Sequence, residues 1–539
     1  MNKPRFLHKR LCRFFLFFVL TAVLASAASF ALPSRANAAD MEPVFEIKIT
    51  DISKAQASRL TKSGVNVTNR NGTTVWAYVS GAQFQSILDL GYTAQRVVLE
   101  TRKNQGLDSP DYTDYPDYDD IVSALNTFEN NYPALCKVVD IGDSYQGRKL
   151  LFLKISDNVD VEEDEPEFKY ISTMHGDEKI GTDLMLRLID HMLSNYGTNA
   201  DITKLIDEME IWIMPLMNPD GYAANQRYNM QGIGYDLNRN FPDRIDDPAN
   251  TLVNYSGDPR PIEVQRIMTW AFNQSSVLSA NLHGGALVAN YPYDSNSSGD
   301  YVYTACDDDD LFIDMSLTYS TLNLPMYNGE FTQGITNGAD WYTAYGGMQD
   351  WNYVWMGCME ITLELSNIKT PPYSYMDGLW NDNRASLLAY MGWALKGVRG
   401  VVTDKETGLP ITATITAKSG SWESDFKVYT DPDVGDYHRI LLPSDDPYTL
   451  TFSADGYETK TVSGIMVQEG DAVRLDVEMD LKPCNFNCSG GPDLADAVIA
   501  LQVLAGLTPE IGGCVDARPL SGVQIGLEDA LYILQQTAD

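Results

Sequence analysis

"FKYISTMHGDEKIG" (168–181) decides how the chain folds. An apolar run ends at His175, and Glu178 follows three positions later, with Gly176 between them. A short apolar run stopped by a turn signal reads as a buried strand. The pattern that follows, "TDLMLRLIDHMLSNY" (182–196), reads as an amphipathic helix. Working outward, "IVSALNTFENNY" (121–132) is a second such helix, and "KLLFLKIS" (149–156), "EIWIMPLM" (210–217), "SVLSANL" (276–282) and "CMEITLEL" (358–365) are further buried strands. This alternation over 118–397 predicts an α/β sheet covered on both faces. In such a sheet ligands bind beyond the carboxyl ends of the strands.

The chain has five histidines: His8, His175, His191, His283 and His438. His8 lies in the leader, His191 in a helical pattern and His438 in a β-rich segment, so structural roles suffice for the last two. His175 and His283 each close a strand and precede glycine, in "STMHGDE" and "SANLHGG". The glycine lets the backbone turn away and leaves the imidazole in the cleft. Two histidines and a carboxylate, with a fourth position open, are the ligand set of a hydrolytic zinc site. Asn238 and Arg239, in "DLNRNFPD" (236–243), offer an amide and a guanidinium for a carboxylate. Glu360 and Glu364 lie on one face of a buried strand, where a carboxylate needs a reason such as catalysis.

"HGDE", "NPDGY", "RYNMQGIGYDLNRNFPD", "SANLHGGALVANYPYD" and "GITNGADWYTAYGGMQDWNYVWMGCMEITLELS" together resemble the zinc metallocarboxypeptidases, in particular the N/E or regulatory subfamily. The resemblance spans about 118–397 and implies a mixed central sheet flanked by helices. It makes His175, Glu178 and His283 the zinc ligands, Glu364 the general base and Arg227 the stabiliser of the oxyanion. It gives Asn238, Arg239 and Tyr342 the terminal carboxylate of a peptide substrate. Asp294, eleven positions after His283, and Gln349 become the base of a pocket for C-terminal Lys or Arg. The segment from Arg227 to Asp236 runs about two residues longer than the family spacing. A catalytically inactive binding module and a scaffold component are the rival readings.

The flanks are built differently. Residues 398–482 are short strands separated by turns, a small all-β sandwich, and the subfamily carries a transthyretin-like domain there. In the tail, 483–539, "LADAVIALQ" (494–502) and "LEDALYILQ" (527–535) repeat with an offset of 33 residues. Asn485, Asn487, Ser489, Asp493 and Asp496 fall at EF-hand loop positions 1, 3, 5, 9 and 12, with Gly490 at 6. The second copy places Arg518, Leu520 and Gly522 at 1, 3 and 5. The tail resembles a dockerin, which implies a cohesin-like partner; one weak calcium site or none is expected, with Cys514 paired to Cys484 or Cys488. The acid run "CDDDDLF" (306–312) reads as charge at a helix N-terminus.

At the other end, Lys3, Arg5, Lys9, Arg10 and Arg13 precede an apolar run (14–32) and "ANA" (36–38), the pattern of a signal peptide over 1–39. A retained anchor is the alternative. Residues 40–102 read as a small α/β domain, either a propeptide or a permanent accessory, joined by a linker (103–117) rich in Asp, Tyr and Pro. Without the leader, 33 basic residues face 74 acidic ones, a net charge of −41. Such a surface repels nucleic acid and anionic membranes, and the mature chain is expected to be soluble and exported.

Overall fold

The computed structural model describes residues 44–97, 114–489, 491–513, 517, 519 and 524–537. The expected signal segment, most of the expected linker, Gly490, Cys514, Arg518, Leu520 and Gly522 lie outside the described residues.

The first domain comprises β1 (Phe45–Thr50), β2 (Asn66–Asn71), β3 (Thr74–Val79) and β4 (Thr93–Arg96), with helices Lys54–Lys62 and Gly81–Asp89. Its strands pair antiparallel in the order β2-β3-β1-β4. Each helix crosses over between two parallel strands, β1 to β2 and β3 to β4, with one antiparallel strand lying between the pair, so the domain consists of two interleaved β-α-β units. Ser53 with Gln56, and Ser80 with Gln83, close a capping box at the start of each helix.

The second domain is a mixed eight-stranded sheet: β5 (Cys136–Asp143), β6 (Lys149–Ile155), β7 (Glu167–Ser172), β8 (Glu210–Met214), β9 (Ser276–His283), β10 (Ala286–Tyr291), β11 (Ile335–Asn337) and β12 (Met359–Ser366). Their order is β11-β10-β12-β9-β7-β8-β6-β5, and the central strands β12, β9, β7 and β8 run parallel. Every residue of β7, β9 and β12 is buried, which is why these strands read as continuous rather than alternating runs. Phe168 and Tyr170 pack on one face with helices Ile180–Asn195 and Met376–Met391, and Ile171 packs on the other with Ile262–Ala271 and Met348–Trp355.

Glu360 is explained without catalysis. It accepts hydrogen bonds from Asn281 and Asn352, both at 2.7 Å, and from the Ser279 hydroxyl. A buried carboxylate satisfied by three donors is a structural tie between β9, β12 and the helix beside them.

The sandwich has one sheet built from Val398–Asp404, Asp436–Arg439, Val473–Arg474 and Val477–Met479, and a second built from Thr414–Ser419, Trp422–Glu423, Val428–Tyr429, Tyr448–Ser453 and Lys460–Ile465. The acid run 306–312 does more than charge a helix. Asp309 and Asp310 sit in the first turn of helix Asp309–Leu322, but Asp308 makes no cap bond. It is buried and binds Arg439 of the sandwich at 2.6 Å, and it also accepts hydrogen bonds from Tyr353 and Ser424, both at 2.9 Å. Tyr353 stacks on Phe426 beside it, with ring centroids 4.8 Å apart.

In the tail, helices Leu494–Leu504 and Leu527–Gln536 pack through Ala497, Ala500, Ala530 and Ile533. Cys488 is disulfide-bonded, and the Cys484 thiol lies 3.2 Å from Asp529 Oδ1. The five expected calcium ligands hydrogen-bond within their own loop: Asn487 and Ser489 donate to Asp493 at 3.1 and 2.9 Å, Asn485 accepts from the Ser489 amide at 3.0 Å, and Asp496 accepts from the Asn487 amide at 2.7 Å.

Arg439→Leu leaves Asp308 buried without its cation, a change that costs about 3–5 kcal/mol in comparable buried pairs. Equilibrium denaturation should show that loss together with increased protease sensitivity of the sandwich. A change under about 1 kcal/mol, the scale of an exposed pair, would mean that the pair does not hold the two domains together.

Candidate metal centre and catalytic cleft

Parallel pairing of β7 with β9 brings two distant strand ends side by side. β9 ends at His283; β7 ends at Ser172, and the chain turns through Thr173 and Met174 to His175 and Glu178. Gly176 is required by packing, since a Cβ there would lie 2.1 Å from the Gly221 backbone. That backbone belongs to the short helix Pro219–Ala224 of "NPDGY", whose N-cap Asn218 donates to the carbonyls of Met174 and Arg227. The motif thus fastens the histidine turn to the arginine segment.

The ligand atoms of His175, Glu178 and His283 all lie within 4.8 Å of one another, and all three residues are buried. Both Nδ1 atoms face Glu178, at 3.1 Å from His175 and 2.8 Å from His283. The outer nitrogen of His175, Nε2, bonds Asp236 Oδ1 at 2.9 Å. A carboxylate behind a ligating histidine fixes its tautomer and orientation. The Asp236 carboxylate also accepts from Arg227 Nε at 2.8 Å, and Arg227 Nη1 donates to Glu178 at 3.1 Å. Burial alone would raise the Glu178 and Asp236 carboxyls, yet the histidines hold the first, and Arg227 and His175 the second, well below the usual carboxylate range. Burial and His175 push His283 down to about 4, leaving a neutral imidazole. Two imidazole nitrogens, one ionised carboxylate and an oriented histidine fit a zinc ion.

The other expected residues surround this triad. Glu364 stands beside His283 in the register of β12 with β9. Its Oε2 is buried without a partner, and burial followed by the Glu178 charge raises its carboxyl well above the usual range. Asn238 is held by the Met348 amide at 2.9 Å, and Arg239 Nη1 bonds the Asn238 carbonyl at 2.7 Å while Nη2 is buried with no acceptor. Tyr342 lines the same cavity of about 530 Å³, together with Asn290 and Asp294. Asp294 Oδ1 accepts from Asn290 and Gln349 at 3.0 and 3.2 Å. Gln349 therefore supports Asp294 from behind rather than lining the cavity itself. Gly338 makes room for this group, because a Cβ on it would lie 1.8 Å from Asp294 Oδ1.

Asp236 escapes the sequence reading although it opens the quoted "DLNRNFPD". The available signal was chemical: a ligating histidine at a strand end wants a carboxylate behind it. The first domain was also not expected in this place. Thr68, Asn69 and Trp76 share the cavity with the triad. Asn69 donates to the Gly285 carbonyl at 2.7 Å, Arg70 to the Trp341 carbonyl at 2.8 Å, and Tyr78 to Asp177 at 2.9 Å.

Asp236→Asn should weaken zinc binding by about 10–100-fold, the usual effect of losing such a support. Competition against a chelator measures it, and unchanged affinity would remove Asp236 from the centre.

Comparison with known proteins agrees with this geometry. The zinc carboxypeptidase family model matches residues 121–386, and the carboxypeptidase regulatory-like domain matches 397–480. Human carboxypeptidase D is 40% identical over 365 residues, which cover 64% of this chain and 25% of that protein, so the match spans about a quarter of its length. Mouse carboxypeptidase M is 37% identical over 391 residues, 68% of this chain and 85% of that protein. The catalytic chain of human carboxypeptidase N is 38% identical, covering 64% and 81%. Among solved structures, carboxypeptidase A of Helicoverpa armigera shares the fold, with a TM-score of 0.50 and 16% identity over 65% of this chain and 98% of that one. Two relatives are thus matched across most of their length, and the chain belongs to the zinc carboxypeptidase family.

Proposed function

We propose that the chain is an exported zinc-dependent carboxypeptidase that removes C-terminal Lys or Arg from peptides or proteins. One observation carries the reading: an unpartnered donor, Arg239 Nη2, and an unpartnered acceptor, Glu364 Oε2, are buried beside the metal triad. Buried polar atoms in folded proteins are nearly always paired. These two are matched by the groups that a peptide C-terminus brings.

Zinc held by His175, Glu178 and His283 would supply Lewis-acid charge to an acyl oxygen and make water more acidic. Arg239, with Asn238 and Tyr342, takes the terminal carboxylate, so only a free C-terminus completes the clamp. Glu364 receives the proton of the attacking water and returns it to the leaving amine; a carboxyl raised by burial suits both steps. Arg227, kept charged by Asp236 and Glu178, donates to the oxygen that becomes negative. Asp294 faces the departing residue's side chain and favours a cation.

On this reading 1–39 is removed on export and the first domain is a propeptide-like cover. The tail is a dockerin-like module with one weak calcium site, at Asn485, Asn487, Ser489, Asp493 and Asp496, or none, and a cohesin-like partner. No helix among the described residues is long and apolar enough to cross a membrane.

Two experiments test the reading. Glu364→Gln should keep about one zinc per chain and lose about 10²–10⁴-fold or more in turnover, whereas His283→Ala should lose the metal as well. Retained activity in Glu364→Gln would refute its role, and a wild type inert towards every peptide would favour the binding-module reading. Wild type should prefer C-terminal Arg or Lys to Phe, and Asp294→Asn should cut kcat/KM for basic substrates by about two orders of magnitude, following the ~2–5 kcal/mol scale of such pairs. Equal cleavage of Phe and Arg would place the pocket's charge elsewhere.

A further inference from the structure

Behind Asp294, which lines the cavity, stands a second buried carboxyl that the function proposed above does not use. Asp350, on the helix Met348–Trp355, is 2% exposed. Both of its oxygens face the backbone amide of Asp294, at 3.1 and 3.0 Å. Asp294 is itself 7% exposed. Among the described residues neither carboxyl forms an ion pair.

Two guanidinium groups lie near without an ion pair to either carboxyl, and each draws the nearer one down: Arg239 lowers Asp294 and Arg244 lowers Asp350. Arg239 Nη1 bonds the Asn238 carbonyl, and its Nη2 is buried without an acceptor. Arg244 donates to the Ser295 carbonyl and lies over the Tyr293 ring at 3.8 Å. Asp243 adds a third carboxyl, occupied by the Ser295 hydroxyl and the Gly346 amide, both at 3.2 Å. The phenols of Tyr293 and Tyr342 complete the surroundings, each raised above its ordinary value by burial.

Two carboxylates in a dry pocket repel strongly. They could relieve this by moving apart or by keeping a proton. Movement is blocked: Asn290 and Gln349 grip Asp294 Oδ1, Gly338 backs on to it without room for a methyl group, and Asp350 is enclosed in the helix layer. A retained proton is what remains. Asp350 is the better holder, since its oxygens share a single N–H donor, whereas two side-chain amides stabilise charge on Asp294.

We propose that Asp350 is a second specificity-determining residue, a positioning carboxylic acid that holds Asp294 by its backbone and keeps a proton beneath it, so that the pocket offers a basic side chain one negative charge and does so only above mildly acidic pH. This rests on the basic specificity proposed above. The direction of the proton equilibria agrees: burial, and then Asp294, pushes Asp350 well above the ordinary carboxyl range, and burial pushes Asp294 up to about 6. Asp294 therefore ionises as pH rises through that value, and the preference for a cation rises with it. Because Asp350 stays neutral through that range, a neutral amide in its place should leave the Asp294 transition where it is.

The test is the ratio of kcat/KM for matched peptides ending in Arg and in Phe, measured on the zinc-loaded full chain from pH 5 to 8. Titration of metal ligands and of Glu364 affects both substrates and cancels. In wild type the ratio should fall about tenfold between pH 7 and pH 5. In Asp350→Asn, which is neutral and retains an acceptor for the Asp294 amide, the fall should be the same, whereas Asp350→Leu, which removes that acceptor, should lower the ratio at pH 8 by about tenfold. An Asp350→Asn transition displaced to lower pH, which would show a charged Asp350 in wild type, or an Asp350→Leu ratio equal to that of wild type, overturns the assignment. A wild type with no Arg preference at pH 8 would instead overturn the underlying reading. A second measurement needs no variant: calorimetry of free L-arginine binding at pH 6, in buffers of different ionisation enthalpy, should show release of about half a proton per ligand. No proton release, with binding observed, also overturns the proposal.

Discussion

The catalytic cleft depends on one carboxylate. Asp236 holds His175 by its outer nitrogen and Arg227 by its guanidinium, at 2.9 and 2.8 Å. The first contact orients a histidine of the triad, and the second keeps a cation beside Glu178, so that a dense group of buried charges remains compatible with folding. Around it, β7 and β9 deliver His175 and His283, the "NPDGY" helix pins both the histidine turn and the Arg227 segment, and β12 sets Glu364 next to His283. Each is a backbone device, which suits a site that must be held to fractions of an ångström.

The same economy appears in the pocket. Asp294 is gripped by two amides, by the space that Gly338 leaves and by Asp350 beneath. Rigidity of this kind turns repulsion into protonation, because the side chains have no other way to respond. The first domain brings Thr68, Asn69 and Trp76 to the same cavity without filling it, and its contacts reach backbone and acidic groups at the rim.

Much of this was legible beforehand. Strands ending in His-Gly, a glutamate three positions on and an Asn-Arg pair are local features, and each carries its chemistry in its residue types. Buried parallel strands also declare themselves as uninterrupted apolar runs. The misreadings share one cause. Glu360 and Glu364 occupy one face of β12, as their even spacing requires, but four residues at about 3.3 Å rise put them roughly 13 Å apart along the strand. One borders the cleft and the other ties the core. The acid run 306–312 likewise looked like helix charge until Asp308 met Arg439 across a domain boundary.

The sequence by itself determined the kinds of element, their order and the placing of His175, Glu178 and His283 at strand ends, because periodicity and motif spacing are properties of neighbouring residues. Only the tertiary structure decided which carboxylate stands behind His175, which lies beneath Asp294 and what covers the cleft. Those pairings join Asp236 to His175 across 61 positions, Asp350 to Asp294 across 56 and Tyr78 to Asp177 across 99. Periodicity shows which face of an element is buried. It carries no information about which distant side chain will share that burial, and in a dry interior that neighbour sets the charge, the proton and the reactivity.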